Sequence, residues 1–373
     1  MALSLAITEQ VVGFREPLPT AWGRLDRRTL FLVELTGSDG IVGRGEAAPL
    51  EAYDGVSDDA CRAGLRALAA ELAQIDEDAP GHLVLDRLSA TTPVQQALAA
   101  IDLAFWDRGG RRSGQPVAEL LASGPLDGVA VHKTIGGVPA ARAAEIAREA
   151  AAVGFTAFKV KVGLRVVGET GCEPATSTGA ADIDGDVARV LAVREAVGPE
   201  ARIKVDANGA WSVDEAVEAL GRLTARPIAI RTAEEPVSGG DAWPHLRAAL
   251  NAARIDIELS VDETADREPG AIRRGPDVVE LKLARTGGIG PLLVRASLAQ
   301  IAGVQIALAS TFDGPLGIAA AVHAAAALKI ERPLGLATLD ALDLDDAPEL
   351  ADLAQRLAPV GGRIPLPPGP GLV

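Results

Sequence analysis

Three carboxylates recur at a fixed interval through the middle of the chain: Asp206 in RIKVDANGAW, Glu234 in AIRTAEEPV and Asp262 in ELSVDET, 28 residues apart in each case. Each closes a short apolar run that reads as a β-strand, and the interval is the length of one strand–helix repeat. In a (β/α)8 barrel the C-terminal ends of the strands meet at one rim, so the three acids would converge there. Converging acids repel and, in a half-buried mouth, would take up protons unless a hard cation bound by oxygen neutralises them. Mg²⁺ suits such a site, or Mn²⁺ in its place, with positions left for water and substrate. Read singly, each acid is more often a turn or helix-cap residue; the shared phase is what argues for a site. Glu235 competes with Glu234, and because neighbours on a strand point to opposite faces, only one of the two should face the cation.

Lysines complete the set. FKVKVG puts Lys159 and Lys161 on one face of the strand preceding that of Asp206, and Lys282 in ELKLARTGG lies on the strand after Asp262. A lysine inside an apolar strand is costly unless paired or functional, although a lone one is as often a snorkelling rim residue. Desolvation and neighbouring cations would lower an ammonium pKa and make a neutral amine available as a base.

Composition narrows the rest. Hydrophobic residues are 48% of the 373, enough for a sizeable core, and 51 acids against 36 bases leave a net charge of −15, which opposes nucleic acid and anionic membranes. Four histidines without metal-ligand spacing offer little for a histidine-built metal site or a serine triad, and Cys61 and Cys172 are too few for a disulfide framework. No targeting segment is evident and the most apolar run, Ile318 to Leu328, is too short to span a bilayer, so a soluble, cytoplasmic protein is expected. Its expected partner is a small-molecule carboxylate; a homo-oligomer is compatible with the sequence.

The elements that must position these residues follow from the rhythm of the chain. Strand-like stretches over Leu3–Phe14 and Leu30–Gly45, then helices opening at Ser57 and at Thr92–Pro93, the second stopped by glycines, predict an α+β unit over 1–125. From Gly128 the pattern alternates: VAVHKTI, FTAFKVKV, RIKVDA, IAIRTAEE, IDIELSVDE, VVELKLA, GVQIALAS and a weaker PLGLAT, with Ala-rich helices between. The predicted fold class is therefore α/β, a modified (β/α)8 TIM barrel over 126–344 with an N-terminal α+β capping domain that also takes up part of the tail, about 345–373. No Gly-rich phosphate loop supports a doubly wound sheet instead. The Gly/Thr/Ser-rich stretch 163–186 is longer than an ordinary loop and reads as a lid or a surface loop.

In this order FKVKVG, VDANGAW, EEP, VDET and LKLARTGG resemble the muconate-lactonizing branch of the enolase superfamily. The resemblance covers nearly the whole chain and implies that Asp206, Glu234 and Asp262 bind Mg²⁺ with Asn208 close by. It makes Lys161 the base that removes a proton α to a carboxylate, Lys159 its electrostatic neighbour and Lys282 the lysine on the opposite face. GRGEAAPLEAYDGVS and ALASTFDGPLGIAAAVHAAAAL are most similar to the o-succinylbenzoate synthases. That implies a carbon–oxygen lyase dehydrating its substrate in menaquinone biosynthesis. N-acylamino acid racemase, dipeptide epimerase and muconate cycloisomerase are the alternatives. The Asp-x-Asp pair of dipeptide epimerases corresponds to LATLD here, which disfavours a dipeptide, and HKTIGG departs from the synthases' first strand. Ser310, Thr311 and Asp313 fall where the family binds substrate, or equally form a helix N-cap; Phe14, Arg15 and Trp22 fall at the capping loop, and His323 reads as structural.

Overall fold

Alternating side chains of the TLFLVELT run divide between two buried faces of one antiparallel sheet. Phe31, Val33 and Leu35 pack on Leu65, Leu68, Leu72 and Ile101, while Leu30 joins Val12, Phe14, Leu342 and Leu350. The computed structural model describes residues 3–20, 23–77, 79, 81–167, 171–173 and 181–373. Its N-terminal sheet runs in the order Leu342–Asp343, Ser4–Thr20, Gly23–Thr36, Val42–Ala47. The third long strand lies directly against helix Gln95–Ser113, because a Cβ at Gly43 or Gly45 would run into the carbonyls of Ala104 and Ala100. Ser57 caps helix Asp58–Leu72 by accepting from the Ala60 amide at 3.2 Å. The helix expected to open at Thr92–Pro93 begins at Gln95 and, contrary to expectation, continues through Gly109 and Gly110 to end at left-handed Gly114. Gly110 serves packing there: a Cβ would lie 2.6 Å from the Gly371 Cα of the returning tail.

The alternating segments form a parallel sheet of seven strands in sequence order. They are Lys133–Ile135, Ala157–Lys161, Arg202–Asp206, Thr232–Glu234, Glu258–Val261, Val278–Lys282 and Gln305–Ala309, hereafter the first to seventh barrel strands. The eighth, expected at PLGLAT, is reduced to two residues. Leu334 donates to Ala130 O at 2.9 Å and accepts from the His132 amide, while Gly335 donates to Leu308 O and accepts from the Ser310 amide. These bonds join the seventh strand to the first, and Gly335 is needed because a Cβ would sit 3.0 Å from that of Ala309. The start of the expected first strand, Gly128–Ala130, pairs instead with Arg363–Pro365 of the tail.

Two acids of the N-terminal half stand at the ends of barrel helices. Asp102 accepts from the amides of Ile289 (2.6 Å) and Gly290 (3.3 Å) at the start of helix Ile289–Ile301. Glu46 accepts from Gly314 (2.6 Å) and Leu316 (3.2 Å) at the start of helix Pro315–Ala327. Both neutralise amide groups that a helix leaves unpaired, and both tie the sheet to the barrel. In the 163–186 stretch, Arg165–Val167 pairs with Gly171–Glu173, and helix Ile183–Val197 starts at the Asp182 cap. Residues 168–170 and 174–180 of that stretch, like Trp22, lie outside the described residues. Among the described residues no helix is long and apolar enough to cross a membrane.

Candidate active site

At the rims of the second to sixth strands the acids and lysines singled out by spacing contact one another in acid–lysine pairs. Lys161 at the end of the second strand donates to Asp206 Oδ2 at 2.6 Å and to Asn208 Oδ1 at 2.7 Å. Lys159, one inward position below, lies 3.0 Å from both Asp206 Oδ2 and Glu234 Oε1. Across the mouth, Lys282 bonds Asp262 Oδ1 and donates to the Tyr53 hydroxyl at 2.7 Å. Asp206 and Glu234 are 1% exposed, and Asp262 and Lys282 4%, so these charges stand in a largely water-free setting where pairing is strong.

Backbone strain aims several of them. Asn208 (φ 47°) and Glu235 (φ 40°) follow the ends of the third and fourth strands in the left-handed region, uncommon for residues with a side chain. The turn lets Asn208 donate back to Asp206 Oδ1 (3.1 Å) and across to Glu263 Oε1 (2.7 Å). Glu235 turns away from the lysines: its carboxylate accepts from the amides of Asp262 (2.7 Å) and Thr264 (2.9 Å) and from the Thr264 hydroxyl, fixing the end of the fifth strand. Of the adjacent pair, Glu234 is therefore the one that faces the lysines. Behind Lys161, the buried Asp186–Arg189 pair holds the Gly163 amide at 2.7 Å and the Lys161 carbonyl at 3.2 Å.

Within this cluster Asp206, Glu234, Glu235, Asp262, Glu263 and Glu280 bring six carboxylates against four ammoniums, Lys159, Lys161, Lys204 and Lys282. The carboxylates outnumber the lysines, an imbalance that a bound cation would relieve, and Glu263 Oε2, buried beside Asp262, has no hydrogen-bond partner among the described residues. The donor set, carboxylate oxygens at strand ends, suits a hard cation such as Mg²⁺. In this arrangement the lysines stand between the acids, and no three of them lie at metal-holding distance among the described residues. The excess shows in proton affinities. Burial and the charge of Glu263 push Glu235 well above the usual carboxylate range, and burial with Asp206 pushes Glu263 up to about 7. Burial acts the same way on Glu234, but Lys159, Lys204 and Lys161 overcome it and hold that carboxyl well below its ordinary value. Burial also lowers Lys282 to about 7, against the pull of Glu234 and Asp206, which leaves a large share of it as neutral amine near neutral pH.

The seventh-strand candidates behave otherwise. Ser310 Oγ accepts from the Asp313 amide at 3.1 Å and meets Thr338 Oγ1 at 3.0 Å, and Thr311 donates to Asp313 at 3.0 Å. They form their own turn rather than an N-cap, because Glu46 already serves the start of the following helix. Their hydrogen bonds do not reach Lys161 or Asp206; Asp313 shares the electrostatic field of Lys282 and Arg28. His323 is structural: Nδ1 accepts from the Ala118 amide at 3.0 Å, and Nε2 meets Leu372 O at 2.9 Å.

Sequence reasoning passed over Lys204, Glu280, Tyr53 and Arg285. Lys204 and Glu280 stand two residues before Asp206 and Lys282, the same alternation that pairs Lys159 with Lys161, so the signal for them was present. Tyr53 had none. It comes from the loop helix Glu51–Asp54, and its ring lies 5.1 Å from Lys282 Nζ and 5.5 Å from the Arg285 guanidinium.

Comparison with known proteins identifies the family. The family model "Mandelate racemase / muconate lactonizing enzyme, N-terminal domain" matches residues 2–122, and "Enolase C-terminal domain-like" matches 141–372. The chain belongs to the enolase superfamily. A hydrophobic dipeptide epimerase of Enterococcus faecalis is 29% identical over 359 residues, 94% of this chain and 93% of that protein. An o-succinylbenzoate synthase of Thermobifida fusca is 35% identical over 257 residues, 67% of this chain and 70% of that protein. The crystal structure of an N-succinyl Arg/Lys racemase from Bacillus cereus superposes with a TM-score of 0.83 at 26% identity, over 100% of this chain and 95% of that one. The superfamily relatives thus include both isomerases and a lyase.

Proposed function

We propose that this protein is a cation-dependent epimerase or racemase acting on a small amino-acid derivative whose α-carbon carries a carboxylate and a peptide-bonded or N-acylated nitrogen. This replaces the dehydration favoured by sequence resemblance as the leading reading: an epimerase relative aligns over nearly the full chain, the synthase over two thirds of it. The observation that carries the reading is the pair of lysines on opposite sides of the acid cluster, Lys161 beside Asp206 and Asn208, and Lys282 beside Asp262 and Tyr53. Inversion at an α-carbon needs one group to take the proton from one face and another to return a proton to the other. Lys161 removes the proton as a neutral amine while Lys282 donates as an ammonium, and the roles exchange in the reverse direction. Asp206, Glu234 and Asp262 would hold the divalent cation, Mg²⁺ or Mn²⁺. When bound, that ion neutralises the substrate carboxylate as negative charge grows on it. Lys159 balances the acids from below, and Asn208 orients both Lys161 and Glu263.

Incubation with candidate dipeptides and N-succinyl amino acids in D₂O, with Mg²⁺ and after EDTA treatment, tests the proposal. Inversion with α-deuterium, lost with EDTA and restored by Mg²⁺, is expected. Absence of exchange across these classes would refute it. The second reading, dehydration of a cyclohexadiene carboxylate to o-succinylbenzoate, is favoured by the 35% identity to the synthase. It requires the same α-proton abstraction, and formation of the aromatic product would support it.

A further inference from the structure

A second inward-facing layer lies directly beneath the chemical one, and it too is charged. Lys159 lies below Lys161, Lys204 below Asp206, Ser260 below Asp262 and Glu280 below Lys282, each two residues earlier on its own strand. Barrel interiors are usually filled by branched apolar side chains, and a buried ion pair seldom repays its desolvation in stability. The contacts of this layer lead to one place. Ser260 Oγ donates to Glu280 Oε1 at 2.6 Å, the same oxygen lies 2.5 Å from Lys204 Nζ, and Lys204 Nζ lies 2.6 Å from Glu234 Oε2. Glu234 is therefore flanked at both oxygens: Lys159 hydrogen-bonds Oε1, and Lys204 ion-pairs with Oε2, which accepts no hydrogen bond among the described residues. Each carboxylate oxygen keeps a second lone pair for another partner.

Building on the cation-site reading above, we infer that Lys204 and Glu280 are positioning residues for Glu234, fixing the orientation in which it meets the cation. The pair adds no net charge, so its contribution is geometry: Glu280 anchors Lys204, and Lys204 anchors the carboxylate. Partners behind a metal ligand typically govern about 10–100-fold of metal affinity.

Mn²⁺ titration of the full chain, followed by electron paramagnetic resonance and calorimetry, reads this without recourse to activity. Lys204→Met, and the double variant Lys204→Met with Glu280→Leu that removes the pair as a neutral unit, should bind Mn²⁺ about 10–100-fold more weakly. Lys204→Arg retains a charged donor and should bind Mn²⁺ more tightly than Lys204→Met. Glu280→Gln keeps the shape but weakens the anchor, and should fall between. A folded double variant with wild-type Mn²⁺ affinity, alongside an Asp206→Asn variant that has lost it, would overturn the inference alone. Wild-type Mn²⁺ binding by Asp206→Asn would overturn the cation-site reading on which it rests. A merely structural pair would lower the melting temperature while leaving Mn²⁺ affinity and spectrum unchanged, which also counts against the inference.

Discussion

His323 allows a stability prediction whose size can be worked from its surroundings. It is fully buried on helix Pro315–Ala327, and its two nitrogens join that helix to the Ala118 amide and the Leu372 carbonyl. Accepting at Nδ1 while donating from Nε2 requires the neutral ring. Burial lowers its pKa from 6.5 to about 4, with the Leu372 bond opposing. In the unfolded chain the ring takes up a proton below about 6.5, whereas the folded protein resists until about 4. Between those values the unfolded state binds more protons, so stability falls as the pH drops through the window. Each pKa unit is worth about 1.4 kcal/mol, so the loss attributable to this ring is on the order of 2 to 3 kcal/mol by pH 4.5. For a chain of this size, a loss of that order corresponds to a fall of about 3 °C in melting temperature. Carboxylates also contribute to acid lability, so the readout is a difference. Urea and thermal melts of wild type and His323→Gln at pH 7.5 and 4.5 should show a smaller pH-dependent loss in the variant, by about 2 kcal/mol, although it is less stable at pH 7.5. Equal losses in the two proteins would refute the buried-neutral assignment.

Three further outcomes are expected. Lys161→Ala and Lys282→Ala should each lose inversion by at least about 100-fold, while each still exchanges the α-proton of the one enantiomer facing its remaining lysine; loss of exchange from both enantiomers in either variant would count against two opposed bases. Tyr53→Phe keeps the ring near Lys282 and Arg285 but removes the hydroxyl 2.7 Å from Lys282, and should lower kcat about tenfold with little change in melting temperature, measured by steady-state kinetics and calorimetry. Asp102→Ala strands the amides of Ile289 and Gly290 and should cost about 1–3 kcal/mol in urea unfolding, an effect that Asp102→Asn, which keeps an acceptor oxygen, should partly restore.

The acids and lysines of the site were legible because a strand alternates with period two and a strand–helix repeat has a nearly constant length. Those regularities put Asp206, Glu234 and Asp262 in phase and Lys159 on the face of Lys161 before any fold was known. The same alternation holds Lys204 and Glu280, one layer below the strand ends. Glu235 and the 310–313 turn were harder: whether an acid faces the mouth or a hydroxyl caps a helix depends on competing partners, here the amides of Asp262 and Thr264 and the carboxylate of Glu46.

Local sequence thus determined what repeats: the strand–helix alternation, the constant interval between the strand-end acids and the two-residue spacing of charges along each strand. Tertiary structure decided what joins distant segments. Leu334 and Gly335 complete the ring of strands, Glu46 and Asp102 of the N-terminal half cap barrel helices, and Tyr53 reaches Lys282 across more than two hundred residues. No periodicity encodes those contacts. They exist because buried amides and charges must find partners wherever the closed fold brings one within reach.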